Sequence, residues 1–172
     1  MPPDMTASDA FSKVISAAVR ESATQFFETS YNLTFVDKIS AEVGAEPAGI
    51  MAAISFVGNP AWAFALVASN SAAVMISKAF AGFDIPFDSP DMVDVFGEVV
   101  NVIAGDISAR LDRKGLKAQM SLPTVIRGEH VDLHVPSGVS TTRLSFTGPK
   151  GSCWFKLIEA RDTAHMGRKP GS

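Results

Sequence analysis

Residues 47–77 read PAGIMAAISFVGNPAWAFALVASNSAAVMIS, a run of 31 residues without a charged side chain, bounded by Glu46 and Lys78. How this run is broken decides the fold. A bilayer-spanning helix needs about 20 consecutive apolar residues, so on length alone the run qualifies. Its punctuation points elsewhere. Gly58-Asn59-Pro60 sits in the middle and Ser69-Asn70-Ser71 cuts it again, and Asn-Pro pairs mark turns. Ile54-Ser55-Phe56-Val57 and Trp62-Ala63-Phe64-Ala65-Leu66-Val67 are rich in β-branched and aromatic residues, as buried strands are. The run therefore predicts a buried hairpin rather than a membrane insertion. A short helix follows, capped by Asn70 or Ser71, holding Ala72, Val74, Met75, Ile76 and Phe80 and closed by Gly82.

Composition narrows the class. The chain has 172 residues, 47% hydrophobic and 19% charged, with a mean hydropathy of +0.19. That length makes one domain, or one duplicated domain, with a sizeable core. A net charge of −3 on so apolar a chain excludes intrinsic disorder. A pI near 5.6 offers no basic surplus for nucleic acid. The single cysteine, Cys153, excludes a disulfide scaffold, and its apolar neighbours Trp154 and Phe155 make it a small buried hydrophobe. No basic stretch followed by an apolar one opens the sequence, so the expected location is cytoplasmic.

Around the hairpin the other elements fall into place. Phe11, Val14, Ile15, Ala18, Val19 and Phe26 recur at helical spacing, predicting an amphipathic helix over Ser8–Glu28 with Ser8 or Asp9 as N-cap. Leu33–Val43 alternates loosely and reads as a strand. Ser89-Pro90-Asp91 is a helix start, with a capping hydroxyl, proline at the first position and an acid at the positive end of the dipole. That helix is expected to run to about Lys114 and stop at Gly115. Leu116–Ile126, Val131–Val135, Thr142–Phe146 and Cys153–Glu159 read as antiparallel strands, the last three separated by Pro136-Ser137-Gly138 and Gly148-Pro149-Lys150-Gly151. The fold class is α+β: two layers, with long helices on a largely antiparallel sheet and pseudo-duplicated helix-strand-strand-helix halves. One domain over residues 8–161 is expected, with a disordered N-terminus (1–7) and a flexible tail (162–172).

The helix from Pro90 carries the chemistry. At 100° per residue, Phe96, Val99, Val100, Ile103 and Ile107 share one side, with Met92 and Val93 beside them. The opposite side bears Asp94, Glu98, Asn101, Gly105 and Ser108, with Gly97 at its margin. Glu98 and Asn101 are three apart, so they can engage one partner group. Each glycine inside a helix costs about 1 kcal/mol relative to alanine. Two beside one polar stripe suggest either a surface shaved for the approach of another molecule, or a solvated face crossed closely by another helix.

Asp94-x-x-x-Glu98-x-x-Asn101 followed by Gly105 resembles the signature of the CheC/CheX/FliY phosphatase family. Phe96–Gly105 is similar to that family's active helix, and Ser121-Leu122-Pro123-Thr124-Val125-Ile126-Arg127-Gly128 to the strand after it. The resemblance spans roughly residues 11–160 and includes the order of elements over 48–82. The first helix has no Glu-x-x-Asn, since Glu21 precedes Thr24 and Glu28 precedes Tyr31 by three. One site rather than two resembles CheX more than CheC. The resemblance implies a CheC-like fold and dephosphorylation of the aspartyl phosphate of a CheY-type response regulator. Glu98 would pair with the regulator's lysine, Asn101 would orient the attacking water, and Asp94, Gly97, Gly105 and Ser108 would support docking. No cofactor of this chain is implied, because a divalent metal such as Mg would come with the regulator. Relatives pair through their sheets, which implies a homodimer through sheet edges.

A scaffold of the same fold that binds a regulator or dimerises without catalysis is the alternative reading. Other motifs carry less. His130 and His134 have zinc-like spacing only on a helix, whereas in a strand they would stand about 13 Å apart. No glycine-rich loop opens a helix to hold phosphate. Arg110, Arg113, Lys114 and Lys117 read as a solvated helix end that complements the dipole.

Overall fold

In the computed structural model, which describes residues 7–33, 36–38 and 48–160, the uncharged run is two long strands and a helix. Strand β2 (Ala48–Val57) and strand β3 (Trp62–Ser69) form an antiparallel hairpin, with Met51 opposite Val67 and Phe56 opposite Trp62. Before them come helix α1 (Ala7–Thr24), one π-helical turn (Gln25–Ser30) and strand β1 (Val36–Lys38). After them come α2 (Asn70–Ala81), α3 (Pro90–Asp112), β4 (Gln119–Met120), β5 (Thr124–Arg127), β6 (Ser140–Gly148) and β7 (Gly151–Glu159). The strands form one sheet in the order β1-β6-β7-β3-β2-β4, with β5 also on β2, and every pairing is antiparallel.

The helices cover one face of this sheet. On β2, Ile50, Ala52, Ile54 and Phe56 point into the helical layer, and on β3 Phe64, Leu66 and Ala68 do the same. They meet Ile15 and Val19 of α1, Ile76 of α2, and Phe96, Val99, Val100, Ile103 and Ile107 of α3. Burying an aliphatic or aromatic side chain contributes about 1.5–3 kcal/mol, so this layer dominates stability. Among the described residues no helix is long and apolar enough to cross a membrane.

The reverse face explains why much of the run lacks charge at outward positions as well, although Ser55 and Val57 at the end of β2 are exposed. Met51, Ala65 and Val67 form a second buried cluster beneath Val131, Leu133 and Trp154. Val131–Val135, expected to be a strand, pairs with none. It lies over β2, β3 and β7, whose edges are already hydrogen-bonded, so its alternating apolar residues pack instead of extending the ladder. The Lys156 ammonium donates to the Leu133 carbonyl and holds the segment there.

Other boundaries move for local reasons. Helix α1 begins at Ala7, so Ser8 and Asp9 lie inside it rather than capping it. Its extension through the π turn buries both Phe26 and Phe27. Phe27 packs on Phe146 and Phe155, while Phe26 meets Tyr31 and Phe80. Ser69, not Asn70 or Ser71, caps α2, accepting from the Ala72 N–H at 3.3 Å. Gly82 closes α2 with a φ of +84°, the left-handed cap expected of it. Helix α3 ends at Asp112, and Gly115 (φ +78°) turns the chain. The expected strand Leu116–Ile126 is split at Ser121-Leu122-Pro123, where proline has no N–H for a ladder. Ser121 bridges the gap: its N–H donates to the Ser55 carbonyl at 2.9 Å, and its Oγ accepts from the Ser55 N–H at 3.0 Å. Of the strand expected over Leu33–Val43, Val36–Lys38 is observed; residues 34–35 and 39–43, the tail from 161 and residues 1–6 lie outside the described residues.

Candidate functional site

Helix α3 starts where expected, although its Ser89 hydroxyl donates to the Pro86 carbonyl at 2.8 Å instead of capping the helix. Pro90 at the first position removes one of the N–H groups that would need a cap. The apolar stripe Met92, Phe96, Val99, Val100, Ile103, Ile107 and Leu111 is buried, and Val93 at its edge is half-buried. The opposite stripe faces outward as the periodicity predicts. Asp94, Glu98 and Gly105 are exposed, and Asn101 and Ser108 are half-buried. Glu98 and Asn101 are separated by about 4.5 Å of helix rise, so both present polar groups to one small area.

The two glycines differ. Gly105 is open: a Cβ placed there would meet nothing within 4 Å. Gly97, expected at the margin of the exposed stripe, is buried, and a Cβ there would lie 3.2 Å from Val125 Cγ2 and 3.9 Å from Pro123 Cγ. Its lack of a side chain is thus explained by the close approach of β5, so that a strand against a buried face stands where the alternative had a helix crossing a solvated one.

Two arginines pin α3. At its start, Arg127 of β5 donates to the carbonyls of Phe87 (2.9 Å) and Ser89 (2.5 Å). Near its end, Arg110 Nε donates to Asp106 Oδ2 at 2.7 Å, while its two terminal nitrogens reach Glu21 Oε2 (3.0 Å) and Gln25 Oε1 (2.5 Å) across on α1 and the π turn. Ser22 Oγ donates to the same Asp106 oxygen at 2.6 Å. Arg110 is therefore a cross-brace, with its side chain 21% exposed, and not part of a solvated end as expected. Partial burial opposes ionisation of Asp106. The Ser22 and Arg110 hydrogen bonds and the charges of Arg110 and Arg113 outweigh it, holding the carboxyl below the ordinary carboxylate range. In return Asp106 pushes the Arg110 pKa up. The only sequence signal for this brace was the i, i+4 spacing of Asp106 and Arg110; Arg127, Ser22 and Gln25 gave none.

The remaining candidates stay apart from α3's polar stripe. Cys153 is fully buried, and burial pushes its thiol up, away from thiolate chemistry. His134 lies 3.1 Å from Asp132 on an exposed stretch. No group of three or more His, Cys, Asp or Glu among the described residues could hold a metal ion.

The family model described as "Chemotaxis phosphatase CheX" matches residues 50–147, which include most of β2 and all of β3, α2, α3, β4 and β5. The fold is shared by several solved structures. Chemotaxis protein CheX from Vibrio vulnificus is 18% identical with a TM-score of 0.73, covering 84% of this chain and 98% of that one. CheX from Desulfovibrio desulfuricans is 22% identical with a TM-score of 0.70 and the same coverage. CheX in the CheX-CheY-BeF3-Mg+2 complex from Borrelia burgdorferi is 14% identical with a TM-score of 0.66, covering 87% of this chain and 97% of that one. A CheC-like superfamily protein from Shewanella has a TM-score of 0.74 at 16% identity, covering 90% and 99%. No curated protein sequence matches. The family match spans more than half of the chain and takes in the whole of the helix with the polar stripe: this chain belongs to the CheX family of chemotaxis phosphatases.

Proposed function

We propose that this protein hydrolyses the aspartyl phosphate of a CheY-type response regulator. The observation that carries the reading is the pairing of exposed Glu98 with half-buried Asn101 on one outward stripe of a helix braced at both ends. An acyl phosphate is intrinsically reactive, so alignment and electrostatics supply most of what catalysis needs. Glu98 fits the role of a docking group for the regulator's lysine. Asn101 can donate and accept at once, which suits it to hold a water in line. The water oxygen bonds to phosphorus as the bond to the aspartyl oxygen breaks. Inorganic phosphate leaves, the regulator regains its free carboxylate, and the water proton passes to phosphate or solvent. In this reading any divalent metal such as Mg belongs to the regulator's phosphoryl site. Asp94, Gly105 and Ser108 support docking, and a cytoplasmic location and a homodimer through a sheet edge belong to the same proposal.

The test is Asn101→Ala against a CheY-type regulator phosphorylated with acetyl phosphate. The variant is expected to keep its fold and its affinity for the regulator while stimulated phosphate release falls by about 100-fold, the scale of losing one positioned polar group. Phosphate release at the wild-type rate would overturn catalysis and leave the scaffold reading, in which Glu98 matters for affinity and Asn101 does not.

A further inference from the structure

Leu122 is 86% exposed, the highest value among the exposed large hydrophobic residues described. A single exposed leucine is ordinary on a protein surface; its setting here is not. Leu122 sits in the β4–β5 corner, which Ser121 ties to β2 twice and to itself once. Its N–H donates to the Ser55 carbonyl (2.9 Å), its Oγ accepts from the Ser55 N–H (3.0 Å), and within the corner the same Oγ donates to the Leu122 carbonyl (2.9 Å). The next residue, Pro123, packs against α3 at Gly97, where an added Cβ would lie 3.9 Å from its ring. Gly97 immediately precedes Glu98 and lies one turn before Asn101, so the corner stands beside the polar pair at the same level of the helix. On the same helix Val102, adjacent to Asn101, is also exposed, at 46%. The polar pair is thus accompanied by two exposed apolar side chains, one of them on a corner that is already rigid. A group ordered before binding loses little entropy when a partner covers it.

We propose that Leu122 is a docking residue for the response regulator, covered by an apolar part of the regulator's surface while Glu98 and Asn101 enter its phosphoryl site. The proposal rests on the phosphatase reading above. Burial of Leu122 stabilises substrate and transition state alike, so it acts on KM and not on kcat.

The experiment compares wild type, Leu122→Ser, Leu122→Met and Asn101→Ala on a CheY-type regulator phosphorylated with acetyl phosphate, with binding measured on its beryllofluoride-activated form. Because Leu122 is exposed, both substitutions leave the core untouched, and thermal melts verify this. Leu122→Ser is expected to raise KM and the dissociation constant by about tenfold with kcat within about twofold, while Leu122→Met restores wild-type values. Asn101→Ala is expected to show the reverse split. An unchanged KM for Leu122→Ser in an active wild-type background overturns the docking role and leaves the phosphatase reading intact. So does a KM change that tracks a change in oligomeric state by light scattering, which would assign Leu122 to contact with a second copy. An inactive wild type, or full activity in Asn101→Ala, overturns the phosphatase reading instead.

Discussion

Replacing Gly105 by alanine is expected to move stability and docking in opposite directions. The site is helical, exposed and open, with nothing within 4 Å of an added Cβ. Glycine in a helix interior costs about 1 kcal/mol relative to alanine, chiefly through unfolded-chain entropy. With no steric penalty to offset it, that gain carries over in full and raises the melting temperature by about 2–4 °C in a chain of this size. The same methyl stands on the stripe between Asn101 and Ser108, where a docked regulator has to come close. A misfit worth about 1.4 kcal/mol there raises KM by about tenfold. Gly97→Ala is the control: its Cβ would press on Val125 Cγ2 at 3.2 Å, so the propensity gain is offset by crowding and the melting temperature is expected to stay near wild type. Calorimetry and phosphate release from the phosphorylated regulator report the two effects separately. A lower melting temperature for Gly105→Ala would refute the open geometry. A higher one with unchanged KM would refute the role of Gly105 in docking.

Two further perturbations probe what holds α3 and α2 in place. Asp106→Asn removes the charge that Arg110 and Ser22 share and is expected to cost about 1 kcal/mol at neutral pH. The folded pKa of Asp106 is depressed, so its contribution is complete above the unfolded value of about 3.9 and is lost as pH falls through the folded one. Urea midpoints of wild type and variant are therefore expected to converge below about pH 4; a gap that persists in acid would contradict the ionic account. Ser69→Ala strips the α2 cap, a side chain 3% exposed that accepts from Ala72 N–H (3.3 Å) and Ser152 N–H (3.4 Å). Its expected cost is about 1–2 kcal/mol in chemical denaturation, and a loss too small to measure would show that neither bond matters.

Some parts of the molecule were legible because they depend on neighbours close along the chain. Gly58-Asn59-Pro60 breaks an apolar run with turn chemistry, and the left-handed turn at Gly82 is a local matter of lacking a Cβ. The outward stripe of α3 follows from 3.6 residues per turn, which brings Glu98 and Asn101 to one face before any packing is known. By the same logic Val131–Val135 alternated like a strand. It proved to be packing without pairing, because alternation reports which residues are covered and not whether an edge is free to bond.

By itself, then, the sequence determined the α+β class, the buried hairpin and the face of α3 on which the polar pair stands, since each is written in periodicities of two and 3.6 residues and in turn chemistry. Only the tertiary structure decided that Gly97 is filled over by Val125 while Gly105 stays open. It alone decided that Asp106 and Arg110 brace the helix to Ser22 and Glu21, 84 and 89 residues away. It alone decided that Arg127 holds the helix start from 38 and 40 residues along the chain. These contacts join elements whose separation in sequence carries no periodic signal, so they exist only once the sheet has brought β5 and α1 to either side of α3.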